Sequence, residues 1–145
     1  MNWRHTIAYR NNNPANIRRN PANNWVGRDI TYNGASGFER FLTTTFGIRA
    51  TIRILRTYHN RGIVTIDGII RTFAPPVGTD HLGRSYTNPT IDYISFVASR
   101  SGFSAFQRLE FNEGTYFLVI RAMCLKESQY RLSRNEFATA WAMAF

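Results

Sequence analysis

The chain is short of cysteine, lysine, acidic side chains and long apolar runs, and each shortage excludes something. Cys124 is the only cysteine, so no intramolecular disulfide can form. Its setting, YFLVIRAMC, suits a small buried hydrophobe better than a reactive thiol. His5, His59 and His81 are scattered and no Cys/His zinc spacing occurs, so neither metal nor cofactor is expected. No apolar run approaches the roughly 20 residues that a membrane-spanning helix needs. The opening MNWRHTIAYR has no apolar core of a secretory signal, so work outside a cytoplasm would require another route of delivery. Phosphate-binding glycine loops, dinucleotide fingerprints and G-x-S-x-G nucleophile elbows are also missing.

Basic residues outnumber acidic ones by 18 to 9, and Lys126 is the only lysine among them. A net charge of +9 favours anionic partners such as nucleic acid, anionic lipid or an acidic wall polymer. Arginine's planar fork suits phosphate and carboxylate alike. The basic runs are short and interleaved with apolar residues, as in RTYHNR and GFERF, which describes a folded cationic surface. With 145 residues, 43% hydrophobic, the chain can bury a core as one domain spanning 1–145.

Residues 1–35 are rich in Asn, Gly, Pro and aromatics and show little helical periodicity, so they read as loops and short strands. Within them RNNNPANIRRNPANNW carries Asn-Pro-Ala-Asn twice, which predicts two turns flanking a short extended segment at Ile17. From Gly47, Ile48, Ile52, Leu55 and His59 share a helical face that Gly62 terminates. Arg49, Arg53 and Arg56 form an adjacent stripe, either a solvated face or a hold for a polyanion. Thr65 predicts the cap of a short helix, IDGIIRTF, stopped by Pro75 and Pro76.

Residues 75–89 read as the longest structureless segment, a length often associated with function. Thr90 is the expected cap of IDYISFVASRS, which ends at Gly102. An apolar helix follows from about Thr115 to Glu127, and SRNE at Ser133 forms a capping box for the last one. In that reading Glu136 is a cap rather than a catalyst. The expected fold is mainly α (α+β), with a small irregular or β region at the N-terminus.

Taken in order, NNNPANIR (11–18), Trp25-Val-Gly27, FERF (38–41), FGIRA (46–50), TIDGIIRTFAPP (65–76), NPTIDY (88–93) and LKES (125–128) resemble a family of small phage proteins. That family belongs to the lysozyme-like superfamily, and its members are described as virion structural or muralytic proteins. The resemblance spans about Asn11 to Ala144. The front half is also similar to the muramidase domains of flagellar and autolytic glucosaminidases, in which a helix ending in a catalytic glutamate precedes the Asn-rich strand. No such helix fits before Asn11 here. LKESQY instead resembles the Glu-Ser that ends the catalytic helix of lytic transglycosylases, which implies a circular permutation placing Glu127 against the Asn-Pro-Ala-Asn-Ile segment.

The resemblance implies a lysozyme-like domain that cleaves cell-wall glycan, with Glu127 as general acid. Burial and the negative end of a helix dipole would both keep its carboxyl protonated. A second carboxylate is not fixed by the sequence. Glu39 has the best position, with Asp29, Asp80 and Asp92 as alternatives and an ion pair with arginine as its structural role. Asn13, Asn16 and Trp25 are expected to line a sugar groove, and Tyr130 to contact substrate. Bacterial peptidoglycan and other virion proteins are the implied partners, acting in the virion or, after release, at the periplasm and cell wall. Ala15, Phe73 and Thr87 replace a Gly, a Trp and an acidic residue common in the family, so a noncatalytic virion protein retaining the fold is the alternative. Nucleic-acid binding ranks last, because the arginines are dispersed and no docking element is recognisable.

Overall fold

The computed structural model describes residues 2–145 and is mainly helical, with a small β component. Its elements are α1 (Ile7–Arg10), α2 (Thr44–Asn60), α3 (Ile66–Phe73), β1 (Val77–Thr79), β2 (Ser85–Thr87), α4 (Thr90–Ser101), α5 (Glu113–Ser128) and α6 (Arg134–Ala144). α5 buries Tyr116, Phe117, Val119, Ile120, Met123 and Cys124, so it is apolar on several sides and lies within the core. α4 packs on α5, α6 packs on α2, and α3 packs on α4. Ile48, Ile52 and Leu55 are fully buried on α2, as the helical spacing predicts. No helix among the described residues is long and apolar enough to cross a membrane.

The caps explain the helix limits. Thr65 Oγ1 accepts from the Gly68 N–H at 3.1 Å, and Ser133 Oγ accepts from the Glu136 N–H at 3.1 Å. Gly102 ends α4 in the left-handed conformation at φ 82°. Thr90 departs from expectation. It is the first residue of α4 rather than its cap, and its hydroxyl donates to the Ala74 carbonyl at 2.6 Å. α5 begins two residues earlier than predicted, because Asn112 caps it by accepting from the Thr115 N–H.

Residues 75–89 are not structureless. β1 and β2 pair antiparallel with Val77 opposite Thr87 and Gly78 opposite Tyr86. Asp80 Oδ1 accepts from the N–H groups of Leu82 and Arg84, both at 2.9 Å, and closes the turn. A Cβ on Gly78 would come within 2.3 Å of the Tyr86 ring, so only glycine lets that ring lie across the neighbouring strand. Arg84 carries the hairpin onto the N-terminal region by donating to the Ala35 carbonyl at 3.2 Å.

The arginine stripe of α2 is partly solvated, and its guanidinium groups are also spent within the fold. Arg49 Nε donates to the Met143 carbonyl at 3.2 Å, and Arg53 Nη1 to the Ala144 carbonyl at 3.0 Å. Two cations thus satisfy the orphan carbonyls at the negative end of α6. Arg56 lies over the Phe111 ring, which stacks on Trp141. At the other end of α6, the Glu136 carboxylate accepts from Thr44 at 2.7 Å, Thr45 at 3.0 Å and the Tyr130 hydroxyl. The predicted capping box is therefore half formed: Ser133 caps, while Glu136 ties α6 to the start of α2.

The N-terminal region is irregular, with two isolated bridges, Arg18 to Phe38 and Arg28 to Phe41. Asn12 and Asn16 sit at φ 47° and 53°, conformations that asparagine tolerates well. α2 approaches this loop so closely that a Cβ on Gly47 would lie 2.5 Å from the Asn12 carbonyl oxygen. Ala15 is fully buried without positive φ, so its methyl group fits where the resemblance expected glycine.

Candidate functional site

The first Asn-Pro-Ala-Asn turn is held against the C-terminal end of α5. Ser128 Oγ donates to the Pro14 carbonyl at 2.6 Å, and Asn16 Nδ2 donates to the Glu127 carbonyl at 3.2 Å. Asn16 Nδ2 also reaches Glu127 Oε1 at 3.5 Å. Two segments 111 residues apart in sequence thus meet at the glutamate. α5 ends there because Gln129 adopts the left-handed conformation at φ 60°, with its N–H returned to the Leu125 carbonyl.

Desolvation dominates the electrostatics of Glu127 and raises its carboxyl pKa to about 7, against weaker lowering by Tyr93, Asn16, Arg18 and Lys126. No carboxylate is among the groups acting on it. The Tyr93 hydroxyl is buried against the Glu127 carboxyl and favours its ionised form, while Asn16 Oδ1 is buried without a protein partner. Buried polar atoms are normally paired, so an orphan beside a protonatable carboxyl marks a place where a polar group from outside can bind.

A groove of about 550 Å³ opens nearby, lined by Ile17, Arg18, Trp25, Tyr58, Phe73 and Tyr86 among others. Trp25 Nε1 is buried there with no protein acceptor. Arg18 joins the groove to the glutamate: its guanidinium lies 3.3 Å from the Tyr86 ring centroid, and its charge bears on Glu127. Glu127 itself does not line the groove, although Arg18 does.

The other expected site residues are placed as follows. Asn13 is buried, not substrate-facing: its Nδ2 donates to the carbonyls of Ile17 and Glu39, each at 3.0 Å, and its Oδ1 accepts from the Ile17 N–H at 2.9 Å. Glu39 is not placed as a second catalytic carboxylate. It is fully buried, accepts from Arg28 Nη2 at 2.6 Å and Nε at 3.2 Å, and lies 3.6 Å from Arg19. Tyr130 gives its hydroxyl to Glu136 and packs its ring on Trp3, away from the Trp25 groove. Asp80 is occupied by its turn and by Arg84 at 2.7 Å, Asp29 bonds Thr31, and Asp92 is exposed on α4. Thr87 is exposed on β2. Arg18, Tyr86 and Tyr93 went unnoticed in the sequence. NPTIDY did contain Tyr93, but nothing in its spacing showed that the hydroxyl turns inward. No cluster of three metal-ligating side chains occurs among the described residues.

No protein-family model matches the chain. With the fold and the carboxyl site described, the chain is a mainly α protein related to a phage protein. It is 40% identical over 117 residues to "Protein P5" of Pseudoalteromonas phage PM2, covering 79% of this chain and 66% of that protein. The chain therefore spans just under two thirds of its relative's length.

Two outcomes follow from these charges. Glu39→Ala strands Arg28 and Arg19 in a largely buried setting, so urea unfolding should show a loss of about 3–5 kcal/mol. Glu127→Gln should act in the opposite direction and depend on pH. Wild-type Glu127 keeps its proton to about 7 when folded, but releases it near 4.5 when unfolded, so its burial costs nothing below that lower value. Between the two values stability falls as pH rises, and above the upper one the full cost remains. The variant has no such titration, and at pH 8 it should exceed wild type by roughly 1–3 kcal/mol while matching it at pH 4.

Proposed function

We propose that the protein is a phage muralytic enzyme, carried in the virion or released for lysis, that cleaves the glycan of bacterial peptidoglycan with Glu127 as general acid. The observation that carries this reading is a carboxyl kept protonated to about 7 beside Asn16, with no second carboxylate acting on it. A lone glutamate fits the lytic transglycosylase chemistry that LKESQY resembles. Glu127 first gives its proton to the glycosidic oxygen of the leaving sugar. As carboxylate it then takes a proton from a hydroxyl of the remaining sugar, whose oxygen closes an anhydro ring. The N-acetyl group of the substrate assists departure, which removes the need for a protein nucleophile. Asn16 Oδ1, buried and unpaired, supplies an acceptor for a hydroxyl or acetamido N–H group. In the adjoining groove, Trp25 offers an apolar face and an indole N–H to a pyranose ring.

A noncatalytic virion component is the second reading. Glu127 lying beyond Arg18 rather than in the open groove favours it, as does the exposed threonine at position 87. Under the enzymatic reading Arg18 moves aside when glycan binds.

The test is product analysis and turbidity loss on purified murein. Wild type should release anhydro ends, and folded Glu127→Gln should lose at least about a hundredfold in rate, the usual scale of a general acid. Activity should fall as pH rises through about 7, because the reacting form is the protonated one. No activity in either protein, both folded, supports the structural reading. Equal activity in both removes Glu127 from the mechanism.

A further inference from the structure

α5 presents a second polar site on its opposite side. Leu125 and Glu127 are two residues apart and so point about 200° from one another around the helix axis. The side bearing Arg121 and Leu125 lines a pocket of about 340 Å³, with Arg100 from α4 and Tyr130, Arg131 and Leu132 from the α5–α6 connection. Arg100, Arg121 and Arg131 converge there, and none of them forms a salt bridge among the described residues. No carboxylate lines the pocket, and Glu136 on α6 is taken up by Thr44, Thr45 and Tyr130. Arg100 and Arg121 lean instead on the rings of Phe96 and Phe117, each 5.1 Å from the centroid. Three guanidinium groups without a counter-charge form a site for an anion with several acceptor oxygens, which describes a phosphate.

The surroundings distinguish one carrier of phosphate from another. Tyr130 and Arg131 also line a neighbouring hollow with Trp3 and Arg4. Trp3 packs edge-on against Tyr9, which is 42% exposed. Arginines bordered by tryptophan and tyrosine have the composition of a surface that rests in the headgroup layer of a membrane. A duplex backbone would use the arginines but leave the Trp3 and Tyr9 rings without an apolar partner.

We infer that this face is a peripheral docking surface for an anionic phospholipid membrane, with the Arg100/Arg121/Arg131 pocket receiving lipid phosphate. It is independent of the chemistry proposed at Glu127. The test is flotation of the full chain with vesicles of phosphatidylcholine alone and of three parts phosphatidylcholine to one part phosphatidylglycerol. Wild type should float with the second kind only. Arg121→Ala/Arg131→Ala should partition roughly 30-fold more weakly, since each basic side chain near an anionic surface contributes about a factor of five. Arg71→Ala/Arg108→Ala removes the same charge elsewhere and should retain most binding. Equal loss in the two double variants would reduce the effect to net charge and overturn the pocket. Failure of wild type to float would overturn the membrane. Binding of a short DNA duplex in preference to vesicles, lost in the first variant, would overturn the lipid and reassign the site to nucleic acid.

Discussion

The structure turns on one junction: the Pro14–Asn16 turn held against the end of α5. A buried hydroxyl bond from Ser128 to Pro14, 2.6 Å long, fixes the turn, and the Asn16 amide then has no choice but to meet Glu127. Everything that makes the glutamate unusual follows from this contact. The turn removes water from one side of the carboxyl, while Tyr93 on α4 removes it from another. Gly47 permits the same turn to rest on α2, so α2 and α5 are registered against a single loop. Such closure between the two ends of the chain confines the site to the folded state, because neither segment holds it alone.

The helices were legible in the sequence because their signals are local. Thr65, Ser133, Gly62 and Gly102 mark boundaries by backbone chemistry that needs no tertiary partner. The hairpin at 77–87 was hidden, since strands of three residues have no readable alternation and its turn depends on Asp80. The meeting of Glu127 with the Asn-Pro-Ala-Asn segment came from motif order, not periodicity. The amides themselves looked equivalent in the sequence, yet Asn13 is spent on backbone groups of its own loop while Asn16 keeps a free oxygen. Only tertiary geometry separates those fates. The same holds for the arginines: Arg28 and Arg19 neutralise Glu39, Arg49 and Arg53 close α6, and Arg100, Arg121 and Arg131 remain unspent.

This division of charge gives the positive surplus a direction. Arg19, Arg28, Arg49 and Arg53 serve the N-terminal loop and α6, whereas Arg100, Arg121 and Arg131 lie on the side of α5 turned away from Glu127 with no ion pair among the described residues. One helix therefore carries a buried carboxyl on one side and a cationic pocket on the other.

The junction keeps Glu127 protonated to about 7 by burying its carboxyl. The most direct measurement is a carbon-13 NMR titration of the Glu127 side-chain carboxyl, assigned by its loss in Glu127→Gln. A carboxyl buried in this way should titrate with a midpoint at about 7. A midpoint in the ordinary glutamate range, near 4.3, would show the carboxyl to be solvated and ionised and would contradict it.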